Sequence, residues 1–433
     1  MSRITDFVKR LREHQLSRNA SWILIGQGAN FLLQAIYFVF LARLLGVTEY
    51  GIFAGAFALV SLVTPYSSLG AGMLFMRYVS ADHTKAGVYW GNALLLTSTV
   101  SVLMTVAFFF VGPPIAHINS RLIFVVLAIA NCLFSQISEL GSRVFQTFEK
   151  MRYSAMLSFV ANLSRVVLLL LMRLTMKRAT AVQWSIGVML ATGVGAVLAI
   201  YWVHKEVGKS VVDTDLLLHR SWEGVGFSFA GTTQAAYNDI DKTMLSHYGL
   251  NRENGFYSLA YRVVDFATTP IVAIDGSVLP RFFKLSHGQM PKLMRLAFRA
   301  AALAALIGLG ITFSLLLVSP IIPRLVGHGF AGALVAIRWL AWLPLLRGIH
   351  RMTGGALTGS GRQNMRTVAQ FVIAGSNFLL NLWWIPKFGW IGAAWASVAA
   401  DGGLAVLNTL MLLWVWSRMS REGAGTIMEE AKV

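Results

Sequence analysis

Residues 89–111 read YWGNALLLTSTVSVLMTVAFFFV, a run of 23 residues without one charged side chain. About 20 predominantly apolar residues cross the hydrocarbon core of a bilayer. The pattern repeats in both directions along the chain, as apolar blocks cut by short basic turns. Twelve blocks are candidate spans: 20–42, 52–74, 89–111, 121–140, 154–173, 182–203, 223–247, 255–280, 296–318, 333–346, 367–385 and 390–416. The tenth is short for a crossing. The fold class that follows is all-α, a polytopic membrane protein of about 12 transmembrane helices. Composition agrees: the 433 residues are 56% hydrophobic and 13% charged, with mean hydropathy +0.62. Soluble domains carry about 25% charged residues.

The formal net charge is +18. In a soluble protein this would point to nucleic acid. Here the cations form no single patch but alternate between loops, and no nucleic-acid partner is expected. With the N-terminus inside, the N-terminal arm, the even loops and the tail hold 24 of the 37 Lys and Arg, and the odd loops hold 9. The positive-inside rule then places both termini in the cytoplasm. One loop objects, since Arg173, Lys177 and Arg178 would lie outside.

The domain reading is a basic arm at 1–19, a first lobe at 20–203, a cytoplasmic linker at 204–222, a second lobe at 223–416 and a cytoplasmic tail at 417–433. In the arm, Ile4, Phe7, Val8 and Leu11 share one helical face and the cations lie elsewhere. That pattern fits a short helix on the inner leaflet, in contact with membrane lipids. The alternative is a basic tail that only sets topology. The halves echo one another: LGVTEYGIFAGAFALVSLVTP (45–65) and YGLNRENGFYSLAYRVVDFATTP (248–270) both run from Gly through a Glu-bearing turn to a span containing Pro. Such repeats are common in transporters. Small residues recur every four positions at Gly187, Ala191, Gly195 and Ala199, and at Gly392, Ala396 and Ala400, which predicts close helix packing. Cys132 reads as a buried, inert thiol.

Function must be read from the polar residues kept at bilayer depth, because a charge there costs at least about 2.5–3.5 kcal/mol. Arg165 sits in mid-span, with Ser158 and Asn162 on the same helical face. This is a polar stripe lining a wet cavity, or else Arg165 pairs structurally with an acid such as Glu139. Gln27, Asn30 and Gln34 stripe the first span, where amides suit hydroxyl-rich ligands or bond neighbouring helices. The seventh block is the most polar, GTTQAAYNDIDKTMLSHYG, with Tyr237, Asp239, Asp241 and Lys242. Arg262 and Asp265 follow at i, i+3, then Asp275, with Asp401 in the twelfth block. A desolvated carboxyl in this group is a candidate proton carrier, with local salt bridging as the alternative. Asn377 and Asn381 stripe the eleventh block. No P-loop, HExxH, CxxC or nucleophile elbow occurs, so neither an enzyme nor a cofactor or metal is expected.

Three stretches then resemble one family: LARLLGVTEYGIFAGAFALVSLVTPYSSLGAGMLFMRYVS (41–80), DIDKTMLSHYGLNRENGFYSLAYRVVDFATTPIVAIDGSVLPRF (239–282), and ALTGSGRQNMRTVAQ with NLWWIPKFGWIGAAWASVAADGG (between 356 and 403). The chain resembles the Wzx-type polysaccharide or O-antigen flippases of the multidrug/oligosaccharidyl-lipid/polysaccharide exporter superfamily. The resemblance implies two six-helix lobes related by pseudo-twofold symmetry that open alternately to either side of the bacterial cytoplasmic membrane. It implies as substrate an undecaprenyl-diphosphate-linked oligosaccharide, moved from the inner to the outer leaflet for cell-surface polysaccharide. Polysaccharide polymerase and chain-length machinery would be partners. A cationic cavity is implied too, which Arg165, Lys242 and Arg262 could furnish. Three rival readings remain. A cationic-drug antiporter would need unpaired acids in the first lobe. A scaffold for glycan-assembly enzymes would tolerate loss of Arg165. A membrane glycan polymerase would need larger outer loops.

Overall fold

The computed structural model describes residues 33–34, 36–285 and 289–430, with side chains omitted at 217–219 and 419–430. The basic arm, Gln27 and Asn30 lie outside the described residues. Those described are helical with no strand, and the fold is an all-α membrane fold. Among the described residues nine segments are long and apolar enough to cross a bilayer, or ten when the bent pair is taken as one span.

The long helical segments among the described residues follow in order: α1 (Ile36–Val79), α2 (His83–Ala116), α3 (Arg121–Thr147), α4 (Met151–Thr175), α5 (Ala181–Val207), α6 (Thr214–His247), α7 (Asn251–Ala267), α8 (Thr269–Leu285), α9 (Met290–Val318), α10 (Gly332–Gly359), α11 (Gln363–Phe388) and α12 (Trp390–Glu430). α1 includes the end of the first expected span and all of the second. Its turn is at Gly46, whose φ of +71° suits a residue without Cβ. The chain divides into two compact units, Met1–Asn251 and Arg252–Val433.

The echo between the halves has a structural counterpart. Gly249, at φ +73°, opens the second copy as Gly46 opens the first. Each copy is then broken at its proline. Around Pro65 the helix gives way to a 3-10 turn, Thr64–Ser68. At Pro270, α7 and α8 meet at a 44° bend. Proline cannot donate to the carbonyl four residues back. For Pro270 that carbonyl belongs to Phe266, and the Thr269 hydroxyl donates to it instead at 2.8 Å.

In the first unit, α6 lies along α1 and α2. The Val211 amide donates to the Gly87 carbonyl at 3.1 Å and the Asp213 amide to Asn92 Oδ1 at 2.9 Å. About three turns further on, backbones touch: a Cβ on Gly224 would stand 1.9 Å from the Leu69 carbonyl oxygen. At the other end, His247 Nδ1 donates to the Ile115 carbonyl at 2.6 Å, and the His117 and His247 rings stack with centroids 4.6 Å apart. Residues 214–222, expected within a linker, are the opening turns of α6. The small-residue stripe of α5 packs as expected. Ala191 and Ala199 are fully buried, and a Cβ on Gly141 of α3 would meet the Ala199 Cβ at 2.8 Å. Cys132 is fully buried.

In the second unit, α9 and α10 cross on glycines. A Cβ on Gly308 would stand 2.6 Å from Leu345 Cα, and one on Gly348 2.8 Å from the Ala304 carbonyl oxygen. α10 is the main correction to the expected spans. The apolar block ends at 346, but the segment runs to Gly359, with a turn at Ala341 and Trp342 ahead of Pro344. The Thr312 hydroxyl reaches the Ala341 carbonyl at 2.7 Å across this turn. Arg347 and Arg351, expected in a loop, therefore lie inside a span.

Candidate functional site

The two prolonged turns of α10 carry Arg347, His350 and Arg351 at i, i+3, i+4, so all three face one way. The glycine crossing at Gly348 seats this face against α9, and the bend between α7 and α8 brings acids to it from two directions. Arg347 Nη1 donates to Asp265 Oδ1 at 2.7 Å, Nε to Asp401 Oδ2 at 3.0 Å and Nη2 to the Tyr261 hydroxyl at 3.0 Å. The planar guanidinium suits this division among three acceptors. His350 Nε2 lies 3.3 Å from Asp401 Oδ1, and Arg351 Nη1 lies 3.4 Å from Asp275 Oδ2. The Asp401 side chain is 2% exposed and Arg347 10%, whereas Asp265 is 39% exposed and marks the wet side of the cluster. Three carboxylates meet two guanidinium groups directly, and Arg366 adds a third cation that acts on Asp275 electrostatically.

Asp265, Asp275 and Asp401, singled out separately in sequence, thus belong to one cluster. Its organising residue, Arg347, was not. Arg262 is exposed on α7, and the ion pair of Asp265 is with Arg347 rather than with its neighbour in sequence. The signal that could have found Arg347 was length: 14 apolar residues are too few for a crossing. Adding the next turns brings in Arg, His and Arg on one face.

The first unit holds a second polar group on α6. Lys242 Nζ pairs with Asp239 and also donates to the Asn238 carbonyl at 3.0 Å. Asp241 is 3% exposed and its Oδ1 accepts from the Lys242 amide at 2.8 Å. Tyr237 is half-buried on the same helix. Arg165 and Asn162 are half-buried on α4, and both engage neighbours. Glu139, considered as the partner of Arg165, pairs instead with Arg143 one turn along α3, at 3.2 Å. Gln34 is exposed. Asn377 and Asn381 are buried in the packing of α11 on α12. Asn377 Nδ2 donates to the Ala396 carbonyl at 3.4 Å, and Asn381 Nδ2 to Asn377 Oδ1 at 2.6 Å. The Asn377 amide bonds between helices, and that of Asn381 bonds along α11. Among the described residues no group of three or more His, Cys, Asp or Glu could hold a metal ion.

A family model described as polysaccharide biosynthesis protein matches residues 16–286. No curated protein matches the sequence. Solved structures match in fold. The lipid II flippase MurJ in an inward closed conformation has TM-score 0.73 at 14% identity, over 90% of this chain and 86% of that one. An inward-facing multidrug resistance MATE family transporter of the MOP superfamily has TM-score 0.69 at 14% identity, over 90% and 94%. A MOP superfamily transporter from Pyrococcus furiosus, described by a binding pocket of reverse polarity, has TM-score 0.57 at 14% identity, over 92% and 95%.

Proposed function

The chain belongs to the polysaccharide biosynthesis protein family, and from that premise we propose that it is a flippase. Its substrate would be an undecaprenyl-diphosphate-linked oligosaccharide, moved from the inner to the outer leaflet of the bacterial cytoplasmic membrane by alternating access. The observation that carries the transport reading is charge retained inside the spans, above all Arg347 held between Asp265 and Asp401. Intramembrane ionisable groups are expensive and mark substrate or ion pathways. A glycan and a diphosphate cannot cross hydrocarbon unaided, because each unpaired polar group costs several kcal/mol. A wet path lined by hydrogen-bonding groups, with Arg165 for the diphosphate, removes that barrier. Two lobes would alternate around it, with the lipid tail left in the bilayer.

The driving force follows from charge. Moving two negative charges outward against a negative interior gains about 4.6 kcal/mol at 100 mV, from about 2.3 per charge. The drug-antiporter reading is disfavoured because Glu139 of the first unit is paired with Arg143.

The test is flipping of a fluorescent undecaprenyl-diphosphate oligosaccharide in proteoliposomes. Wild type should flip it, and Arg165→Ala at matched folded protein should lose most of the rate. Wild type that flips beside an unimpaired variant would remove Arg165 from the path. Transport of cationic dyes in place of the glycolipid would favour the antiporter.

A further inference from the structure

A cavity of about 390 Å³ opens in the first unit between the 3-10 turn Thr64–Ser68, α1, α3 and α6. Its volume falls within the roughly 300–1,000 Å³ of small-ligand sites. One wall is apolar, from Pro65, Met73 and Phe227. The facing polar groups are Ser68, Gln136, Ser228 and the Glu139–Arg143 pair. None of these residues is in the α10 cluster, and none was singled out as a binding residue from sequence.

Ser228 is the informative residue. It is 2% exposed and lines the cavity, and its hydroxyl has no hydrogen-bond partner among the described residues. Buried polar atoms are nearly always paired, and an orphan calls for an explanation such as a ligand. One turn further along α6, the buried Thr232 hydroxyl is also without a partner. The charge of the cavity selects among ligands. Glu139 and Arg143 cancel, so no surplus cation is available for a diphosphate. A carboxylate beside a guanidinium instead offers acceptor and donor together, which matches adjacent sugar hydroxyls. The apolar side chains of Pro65, Met73 and Phe227 suit the C–H face of a sugar ring.

We propose that this cavity is a binding site for one neutral pyranose, with Ser228 and Gln136 as hydroxyl-reading residues. The inference rests on the flippase reading and deepens it: the cavity would take a sugar of the lipid-linked oligosaccharide, apart from its diphosphate. It lies toward the 80–85 turn, which is cytoplasmic in the proposed topology, where such a glycolipid is loaded.

The experiment uses the full chain in nanodiscs and reads thermal unfolding against methyl α-D-glucoside, methyl α-D-galactoside, methyl N-acetyl-α-D-glucosaminide and inorganic diphosphate. At least one glycoside should raise the melting temperature of wild type, and diphosphate should not act through this site. Ser228→Ala should need about ten-fold more of that glycoside, the loss of one hydrogen bond. Without sugar it should melt no lower than wild type, because its hydroxyl has no protein partner to lose. Gln136→Ala should weaken the same glycoside. No protection by any glycoside, equal binding by Ser228→Ala, or a lower melting point of Ser228→Ala without sugar would each overturn the site. Glycolipid flipping measured in parallel separates the two ideas. Flipping without glycoside binding leaves the flippase and removes this site, while glycoside binding without flipping keeps the site and removes the flippase.

Discussion

Arg347 shows what a single side chain inside the membrane must do. Its guanidinium satisfies two carboxylates and a phenol, and Tyr261 also offers its ring, 5.3 Å from Cζ. Arg347→Ala would leave the buried Asp401 without its guanidinium partner. Removing one partner of a buried pair costs about 3–5 kcal/mol. The purified variant should therefore melt well below wild type in detergent. Combining Arg347→Met with Asp401→Asn should lose less than the sum of the single changes, because the residues share one network. Additive losses would mean that the two do not interact in solution. Sequence made the acids visible because an Asp inside an apolar block is conspicuous. It hid Arg347, which follows one residue after a block that seemed to end. Ser228 was hidden for another reason: a serine in a helix is unremarkable until its hydroxyl is found buried and unpaired.

Elements meet here through glycine, and neighbouring glycines on one helix make the point testable. Gly224 and Gly226 are both on α6. A Cβ at Gly224 would collide with the Leu69 carbonyl, whereas one at Gly226 meets nothing within 4 Å. Gly226→Ala should raise thermal stability, by up to about 1 kcal/mol from helix propensity. Gly224→Ala should lower it, because backbone atoms cannot step aside as a side-chain tip can. Melting curves of the two variants decide the matter, and equal effects would mean that α6 does not sit against the 69–70 turn. Most of the element pattern was legible, since apolar length marks spans, and glycine and proline mark turns. The turn ahead of Pro344 was not, because a tertiary bond from Thr312 to the Ala341 carbonyl holds the two parts of α10 together as one segment.

For the whole molecule, the alternation of charge between loops predicts sidedness. In a Cys132→Ser background, Met176→Cys should react with a membrane-impermeant maleimide on intact cells. Thr84→Cys should react only after the membrane is opened. The reverse pattern would invert the topology, and with it the side on which the sugar cavity is loaded. The outer position is the stricter probe, because Arg173, Lys177 and Arg178 oppose its placement by the positive-inside rule. The all-α class was legible from block length alone. The division after Asn251 was not, because it depends on which neighbours α6 chooses, and no local pattern records that choice.

The character of α6 and the bend after α7 bear on how the chain is made. α7 and α8 have 17 residues each, about 25 Å of helix apiece against a hydrocarbon core of about 30 Å. α6 is long enough, but is not among the segments apolar enough to cross alone. A ribosome delivering these segments in turn would present the insertion machinery with a polar helix and two half-length ones in succession. Among the described residues five strongly apolar segments precede them, and α6 is bonded to α2 at both of its ends and touches α1 at Gly224. The first half of the polypeptide would thus act as an intramolecular chaperone, holding a surface on which the polar α6 can settle as it leaves the translocon.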